Sequence, residues 1–276
     1  MSEKPSDSRP IGVFDSGLGG LTTVRQLLRR LPHEHIVYFG DTGRVPYGTR
    51  GEDVIRRYAA QDCAFLMQHD VKIIIAACGT VSSVAPNVLK DLPLPTISVV
   101  NPASRVAASV TKNGIIGVLG TAATVKSGSY AKAVKTAKPD AKIHAIACPM
   151  FVPIVENGWN GVKDEVAKLA VERYLQPLKD AGADTVILGC THFPLLAPVI
   201  QNFLGDDVIL VDAGEEAARV CQVQLAETGM LNRENEGEGD VNFYVSDQPS
   251  GFSTLAERFL GVPVKKNVHV VDPGTL

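Results

Sequence analysis

The chain has no apolar run near the roughly 18 residues that a membrane-spanning helix requires, so no membrane span is expected. It has no Lys/Arg-rich run and no basic stripe, and its formal net charge is −3, which argues against nucleic acid as the main ligand. The first ten residues, Met1 to Pro10, are polar and lack an apolar signal-peptide core, so they read as a frayed tail on a cytoplasmic protein. Neither CxxC nor HExxH spacing occurs, which leaves a structural or helical zinc site without support. Five cysteines, an odd number at wide spacing and with no signal segment, read as reduced thiols rather than a disulfide framework. The glycine-rich turn Asp15-Ser16-Gly17-Leu18-Gly19-Gly20 is not a dinucleotide fingerprint, because Thr22 stands where the last glycine would be. It is not a P-loop either, since no GK[ST] follows. No metal and no organic cofactor are therefore expected.

What remains is a chain of 276 residues, 45% hydrophobic and 21% charged, long enough for two domains with substantial cores. Short apolar runs alternate with amphipathic stretches almost throughout. Strands are expected at Ile11–Phe14, Ile36–Phe39, Ile73–Ala77, Thr96–Val99, Ile115–Leu119, Ile143–Ile146, Val186–Leu188 and Val208–Val211. Helices are expected at Thr22–Arg30, Glu52–His69 and Gly161–Lys179. After Asp212 come a helix (Gly214–Thr228), an acidic, Gly-rich solvated loop (Glu234–Asp240), a strand (Val241–Val245) and a last helix (Phe252–Leu260). The alternation predicts an α/β fold with mostly parallel sheets and helical crossovers.

Parts of the chain repeat. Ile11–Ser16 resembles Ile116–Thr121, and Lys72–Thr80 resembles Thr185–His192, at an offset of a little over a hundred residues. The repetition predicts two similar α/β domains related by a pseudo-twofold, with the active site in the cleft between them. The first would comprise 1–101 plus 211–276 and the second 102–210, the terminal segment being too small for a third domain.

Both copies of the second repeat end in a cysteine, Cys78-Gly79-Thr80 and Cys190-Thr191-His192. Ligands of open α/β sheets bind at the carboxyl ends of strands, so these thiols are candidates for a symmetric pair of acid/base groups. A helix start and polar neighbours lower a thiol's pKa from about 8.5, so both are expected to exchange protons near neutrality. Cys63, Cys148 and Cys221 lack that setting and read as structural; Cys148, before Pro149, is the least clear-cut of them. His192 is close enough in sequence to orient Cys190 or share its proton. Asp15 puts a carboxylate at a strand end, and the turn after it offers backbone N–H groups to a small carboxylate. Glu156 sits in the apolar, proline-bounded Pro149–Gly158 stretch, where a cleft acid and a surface acid are both open readings. Pro46-Tyr47-Gly48 is a loop that carries little signal alone.

Together these motifs resemble the glutamate racemases of the aspartate/glutamate racemase family from about Ile11 to Gly261. The family's DSGxGG turn is matched by Asp15–Gly20, its YxGDTxxxPYG loop by Tyr38–Gly48, its CPxFVPxVE segment by Cys148–Glu156 and its GCTHxPLL segment by Gly189–Leu196. The resemblance implies a cofactor-independent racemase that interconverts L- and D-glutamate by two-base proton transfer and supplies D-glutamate for peptidoglycan synthesis. It implies that Cys78 and Cys190 are the bases, that Asp15 assists Cys78, and that His192 assists Cys190 with Glu156 behind it. Asp15, Ser16, Tyr47, Gly48, Gly79, Thr80, Thr191 and His192 would then contact the amino acid. The related alternative is an aspartate racemase; a non-catalytic two-domain binding protein is the alternative from another class. A homodimer is left open as the assembly. One residue departs from the pattern: the family usually has Cys-Asn-Thr where this chain has Cys78-Gly79-Thr80. Gly79 can supply only its backbone, so either glutamate binds more weakly, a nearby group compensates, or the preferred substrate differs; if a contact is merely missing, Gly79→Asn is expected to improve glutamate binding.

Overall fold

The structure, a computed structural model, describes residues 6–234, 237–248, 252–264 and 268–276. Strands β1 (Ile11–Asp15), β2 (Ile36–Gly40), β3 (Ile73–Ala76) and β4 (Thr96–Ser98) are separated by helices α1 (Leu21–Arg30), α2 (Glu52–Met67), α3 (Gly79–Val84) and α4 (Pro86–Lys90). Helix α5 (Val100–Val110) leads into a second series: β5 (Ile115–Gly120), β6 (Lys142–Ala147), β7 (Thr185–Leu188) and β8 (Ile209–Asp212). Between these lie α6 (Ala122–Ser127), α7 (Ser129–Ala137), α8 (Phe151–Glu156), α9 (Glu165–Asp180) and α10 (Ala197–Leu204). The chain ends with α11 (Ala213–Thr228), β9 (Val241–Val245), α12 (Phe252–Leu260) and β10 (Val268–Val270).

β1, β2 and β3 are buried at every position, which is why they read as continuous apolar runs rather than alternating ones. The strands form two sheets, β10-β9-β2-β1-β3-β4 and β6-β5-β7-β8, with every pairing parallel. The order β2-β1-β3-β4 repeats as β6-β5-β7-β8, so the sequence repeat is a topological repeat. In each module the chain reverses its winding at the central strand, which opens a crevice at the strands' carboxyl ends. The first sheet takes strands from both ends of the chain, because β9 pairs with β2 along its whole length. The second sheet uses only Ile115–Asp212.

Helix α11 packs on α1 and α5, and buried residues from both sheets, among them Val13, Ile75, Val118 and Ile187, share one apolar cluster. A second cluster, with Phe14, Phe39, Ala76 and Cys78, covers the other face of the first sheet. Among the described residues no helix is long and apolar enough to cross a membrane.

Three expectations need correction. The tail is not frayed where it is described: Asp7 N–H donates to Leu231 O, and the Asp7 carbonyl accepts from Lys72 Nζ. Lys72 also forms a buried ion pair with Glu34, at the amino end of β3 and so at the opposite end from Cys78. Met1–Pro5 lie outside the described residues, as do positions 235–236 of the acidic loop. Helix α9 starts at Glu165 rather than Gly161, because the Asp164 side chain caps it by accepting from the N–H groups of Val166 and Ala167. β10 was not foreseen.

Candidate active site

Phe14 of β1 pairs with Ala76 of β3, and Leu119 of β5 pairs with Leu188 of β7. Cys78 follows Ala76 by two residues and Cys190 follows Leu188 by two, so equivalent registers deliver both thiols to the same end of their sheets. The two modules meet there. Thr80 and Thr121 share a hydroxyl hydrogen bond of 3.0 Å, Ala123 N–H donates to Gly48 O at 3.3 Å, and Thr22 Oγ1 donates to Thr191 O at 3.1 Å.

On the first side, Cys78 is the residue just before α3 and is 4% exposed. Its thiol donates to Ser16 Oγ at 3.5 Å. Burial first, and the Asp15 charge second, push this thiol up to about 12, with the Val81 N–H and Ser16 opposing only in part. The expectation of a lowered pKa is therefore reversed at Cys78: one short turn of helix offers too little to offset desolvation. Asp15 ends β1 and is buried, and burial raises its pKa too. The His192 charge and the N–H groups of Gly20, Gly17 and Ser16 pull the other way. Gly17 N–H and Gly20 N–H donate to Asp15 Oδ2 at 3.2 and 3.0 Å. These glycine-turn amides are therefore engaged by a carboxylate of the protein itself.

On the second side, His192 Nδ1 lies 4.0 Å from Cys190 Sγ, and its Nε2 lies 3.0 Å from Glu156 Oε1. Burial alone would lower the His192 pKa, but hydrogen bonds to Cys190 and Glu156 and their charges lift it to about 10. The imidazolium therefore persists at neutral pH and sets a positive charge beside the Cys190 sulfur. Glu156 ends α8, and Phe259 presents an edge-on ring 4.9 Å from His192. Thr191 Oγ1 lies 3.5 Å from Asp15 Oδ1 and 3.4 Å from His192 Nδ1, linking the two sides.

The structure thus brings Asp15, Ser16, Cys78, Thr80, Glu156, Cys190, Thr191 and His192 together where the modules meet. Tyr47 differs: its hydroxyl is donated to the buried carboxylates of Asp41 and Asp62, so it braces its loop from behind. Arg44 joins both carboxylates, at 2.6 Å to Asp41 and 3.0 Å to Asp62. Gly48 O meets α6 through Ala123, and Gly79 opens α3 against Gly189.

Sequence reasoning missed several of these supports. Asp62 could have been found, being an acid on the buried stripe of α2 with Ile55, Ala59 and Leu66. Arg258 gave no signal; it donates to the carbonyls of Val155 and Glu156 at 3.1 and 2.8 Å and so closes the end of α8. Cys63, Cys148 and Cys221 are buried free thiols, their pKa values raised mainly by desolvation. Among the described residues no group of His, Cys, Asp and Glu is arranged to hold a metal ion.

A family model described as Asp/Glu/Hydantoin racemase matches residues 11–221. The chain is 47% identical over 259 residues to a glutamate racemase of Neisseria meningitidis serogroup A, covering 92% of this chain and 93% of the relative. It is 44% identical over 254 residues to a glutamate racemase of Geobacter metallireducens, with the same coverage, 92% and 93%. The crystal structure of glutamate racemase from Francisella tularensis in complex with D-glutamate superposes with a TM-score of 0.88 at 34% identity, covering 96% of this chain and 98% of that one.

Proposed function

We propose that this chain, which belongs to the Asp/Glu/Hydantoin racemase family, interconverts L- and D-glutamate by passing protons through Cys78 and Cys190. The observation that carries the reading is the pair of thiols at equivalent strand ends where the two modules meet. Racemisation must take a proton from one face of Cα and return one to the other. Two thiols on opposite faces do this without either group moving around the substrate.

The surroundings of the thiols suggest how the protons are distributed. Cys78, held at about 12, starts as the neutral thiol and is the donor. Cys190 stands beside the His192 imidazolium and acts as the thiolate base. The Cys190 sulfur takes the α-proton, the electron pair remains on Cα, and the Cys78 thiol delivers its proton to the other face. The reverse reaction runs from the complementary protonation state. Resetting for another turnover in the same direction returns a proton to Cys78, beside Asp15, and releases one from Cys190, while Glu156 holds His192 in its charged form. The hydroxyls of Ser16, Thr80 and Thr191, now bonded to Cys78, Thr121 and Asp15 respectively, are placed to turn to the substrate carboxylates. Correct placement of both bases and exclusion of water lower the barrier to carbanion formation.

The D-glutamate formed would feed peptidoglycan synthesis. Cytoplasmic residence and a homodimeric assembly belong to the same proposal; light scattering on the purified protein reads the assembly. The direct test is incubation with each enantiomer of glutamate, and separately of aspartate, in deuterated water. Inversion with deuterium at Cα for glutamate supports the reading. Inversion of aspartate alone replaces it with the related racemase, and binding without exchange replaces it with a binding protein.

A further inference from the structure

Gly79 directly follows one thiol and Gly189 directly precedes the other, and the two backbones touch. A Cβ built on Gly79 would lie 2.0 Å from the Gly189 carbonyl oxygen and 3.7 Å from Cys190 Cα. Real Cβ atoms essentially never approach closer than 3.0 Å, so no side chain fits at position 79 in this arrangement. The obstacle is backbone, not the end of a flexible side chain. It is also fixed: Gly189 N–H is bonded to Leu119 O at 2.8 Å, and a Cβ on Gly189 would lie 2.7 Å from that same oxygen. Neither partner can step aside without disturbing β5 and β7.

Two further glycines of the first module meet the second in the same way. A Cβ on Gly48 would lie 2.8 Å from Thr121 Cβ, and one on Gly19 would lie 2.3 Å from Thr191 Oγ1 and 2.6 Å from the His192 ring. Crowding is not confined to these positions, since a Cβ on Gly40 would lie 2.4 Å from Gly17 O and one on Gly239 1.9 Å from Glu34 O, both contacts within the first module, whereas Gly51 and Gly161 have nothing within 4 Å. What sets Gly19, Gly48 and Gly79 apart is that their contacts cross from one module to the other, along the seam that holds the thiols.

We infer that Gly79 is a positioning residue: its missing side chain lets the modules close until backbone meets backbone, and that stop sets the spacing of Cys78 and Cys190. The inference rests on the two-thiol reading given above. It replaces the expectation that Gly79 merely lacks a substrate contact that Asn would restore. A side chain at 79 holds the seam open by an ångström or more, and a displacement of that order can cost about 100-fold in rate. The retreating thiol then fails to deliver its proton while the other still exchanges the α-proton on its own face. Inversion falls more than exchange does.

The experiment compares the wild type with Gly79→Ala, Gly79→Asn, Gly48→Ala and, as control, Gly161→Ala. Two quantities are read: the ratio of α-deuterium exchange to inversion for glutamate in deuterated water, and the rate of iodoacetamide labelling at each cysteine by peptide mass. The expected result for Gly79→Ala is a loss of about 100-fold in inversion, with a higher exchange-to-inversion ratio and Cys78 labelled at least ten-fold faster. Gly79→Asn should be no better than Gly79→Ala, and Gly161→Ala should match the wild type. Cys63 and Cys221 report folding, since both stay protected in an intact core. If they become labelled in Gly79→Ala, Gly48→Ala decides by the same two readings, because it presses on a side chain rather than backbone. An unchanged ratio with unchanged Cys78 labelling overturns the inference, as does Gly79→Asn equal to or better than wild type. A wild type that does not racemise glutamate, with Cys78 still unmasked by Gly79→Ala, removes the proposed function and leaves the spacer standing.

Discussion

Cys78 and Cys190 occupy equivalent positions at the ends of β3 and β7, yet their surroundings share almost nothing. Cys78 is buried, bonded to a neutral hydroxyl and faced by the carboxylate of Asp15, so its proton is held tightly. Cys190 is partly exposed and adjoins an imidazolium that Glu156 keeps charged. The repeated strand order fixes where the thiols stand, and the loops after the strands give them different neighbours. The sides are also joined electrically, since the His192 charge lowers the pKa of Asp15 across the seam. Symmetric placement of the two thiols is thus combined with asymmetric surroundings.

Removing either thiol should break the comparison most severely. Cys78→Ser and Cys190→Ser should each cut racemisation by about 10³- to 10⁴-fold, the upper range for a positioned acid/base group. Circular dichroism should show both folded, because the change is nearly isosteric. Full activity in either would end the two-base assignment.

His192→Gln should cost about 100-fold and should sharpen the asymmetry. The enantiomers are equally stable, so kcat/KM stays equal in the two directions whatever the variant. The difference must appear in the α-deuterium isotope effects, which should rise in the direction where Cys190 removes the proton and not in the other. Asp15→Asn should do the reverse. Equal changes in both directions would show that the two sides are not specialised.

Glu156→Gln should act more gently, through the charge of His192. The His192 pKa lies near 10, above its ordinary 6.5. Its protonation therefore contributes stability that is complete below pH 6.5 and is lost as pH rises through about 10. Glu156 is half exposed, so its loss should move the alkaline limb of the pH–rate profile down by about one unit, the low end for a nearby charge. The fall in melting temperature with pH should begin correspondingly earlier. An unmoved alkaline limb would detach Glu156 from the site.

The smallest effect is expected from Arg258→Ala, which frees the carbonyls of Val155 and Glu156. A stability loss of about 1 kcal/mol in urea unfolding, with a few-fold drop in kcat, is the expected outcome. A stability loss with kcat untouched would make Arg258 a structural clamp only.

Most strands were legible because parallel strands buried on both faces must be apolar throughout, and Ile11–Asp15 and Ile73–Ala76 are. β10 was not, being only three residues of which two are exposed. The short helices α3, α4, α6 and α8 offer too few residues for a period to show. At the site, Cys78, Cys190, Asp15, His192 and Glu156 could be named because their motifs are contiguous in sequence. The tie from Asp62 to Arg44 and Tyr47 was hidden because Asp62 lies on α2 and meets the 41–47 loop only after folding. The close approach at Gly79 was hidden for a related reason: what lies against it is a carbonyl of the other module, and carbonyls leave no trace in a sequence.

The clamp that Arg258 and Phe259 place on α8 and His192 has a consequence for the protein's synthesis. A ribosome makes a chain from its N-terminus at about 5–20 residues per second. Both thiols, Asp15, Glu156 and His192 leave it before α12 does, and β9, which completes the first sheet beside β2, is also late. A nascent chain that has just passed Asp212 carries all five of these residues, but not Arg258 at the end of α8 nor the Phe259 ring against the imidazole. The last segment to emerge is thus the one that completes the packing around His192 and the end of α8.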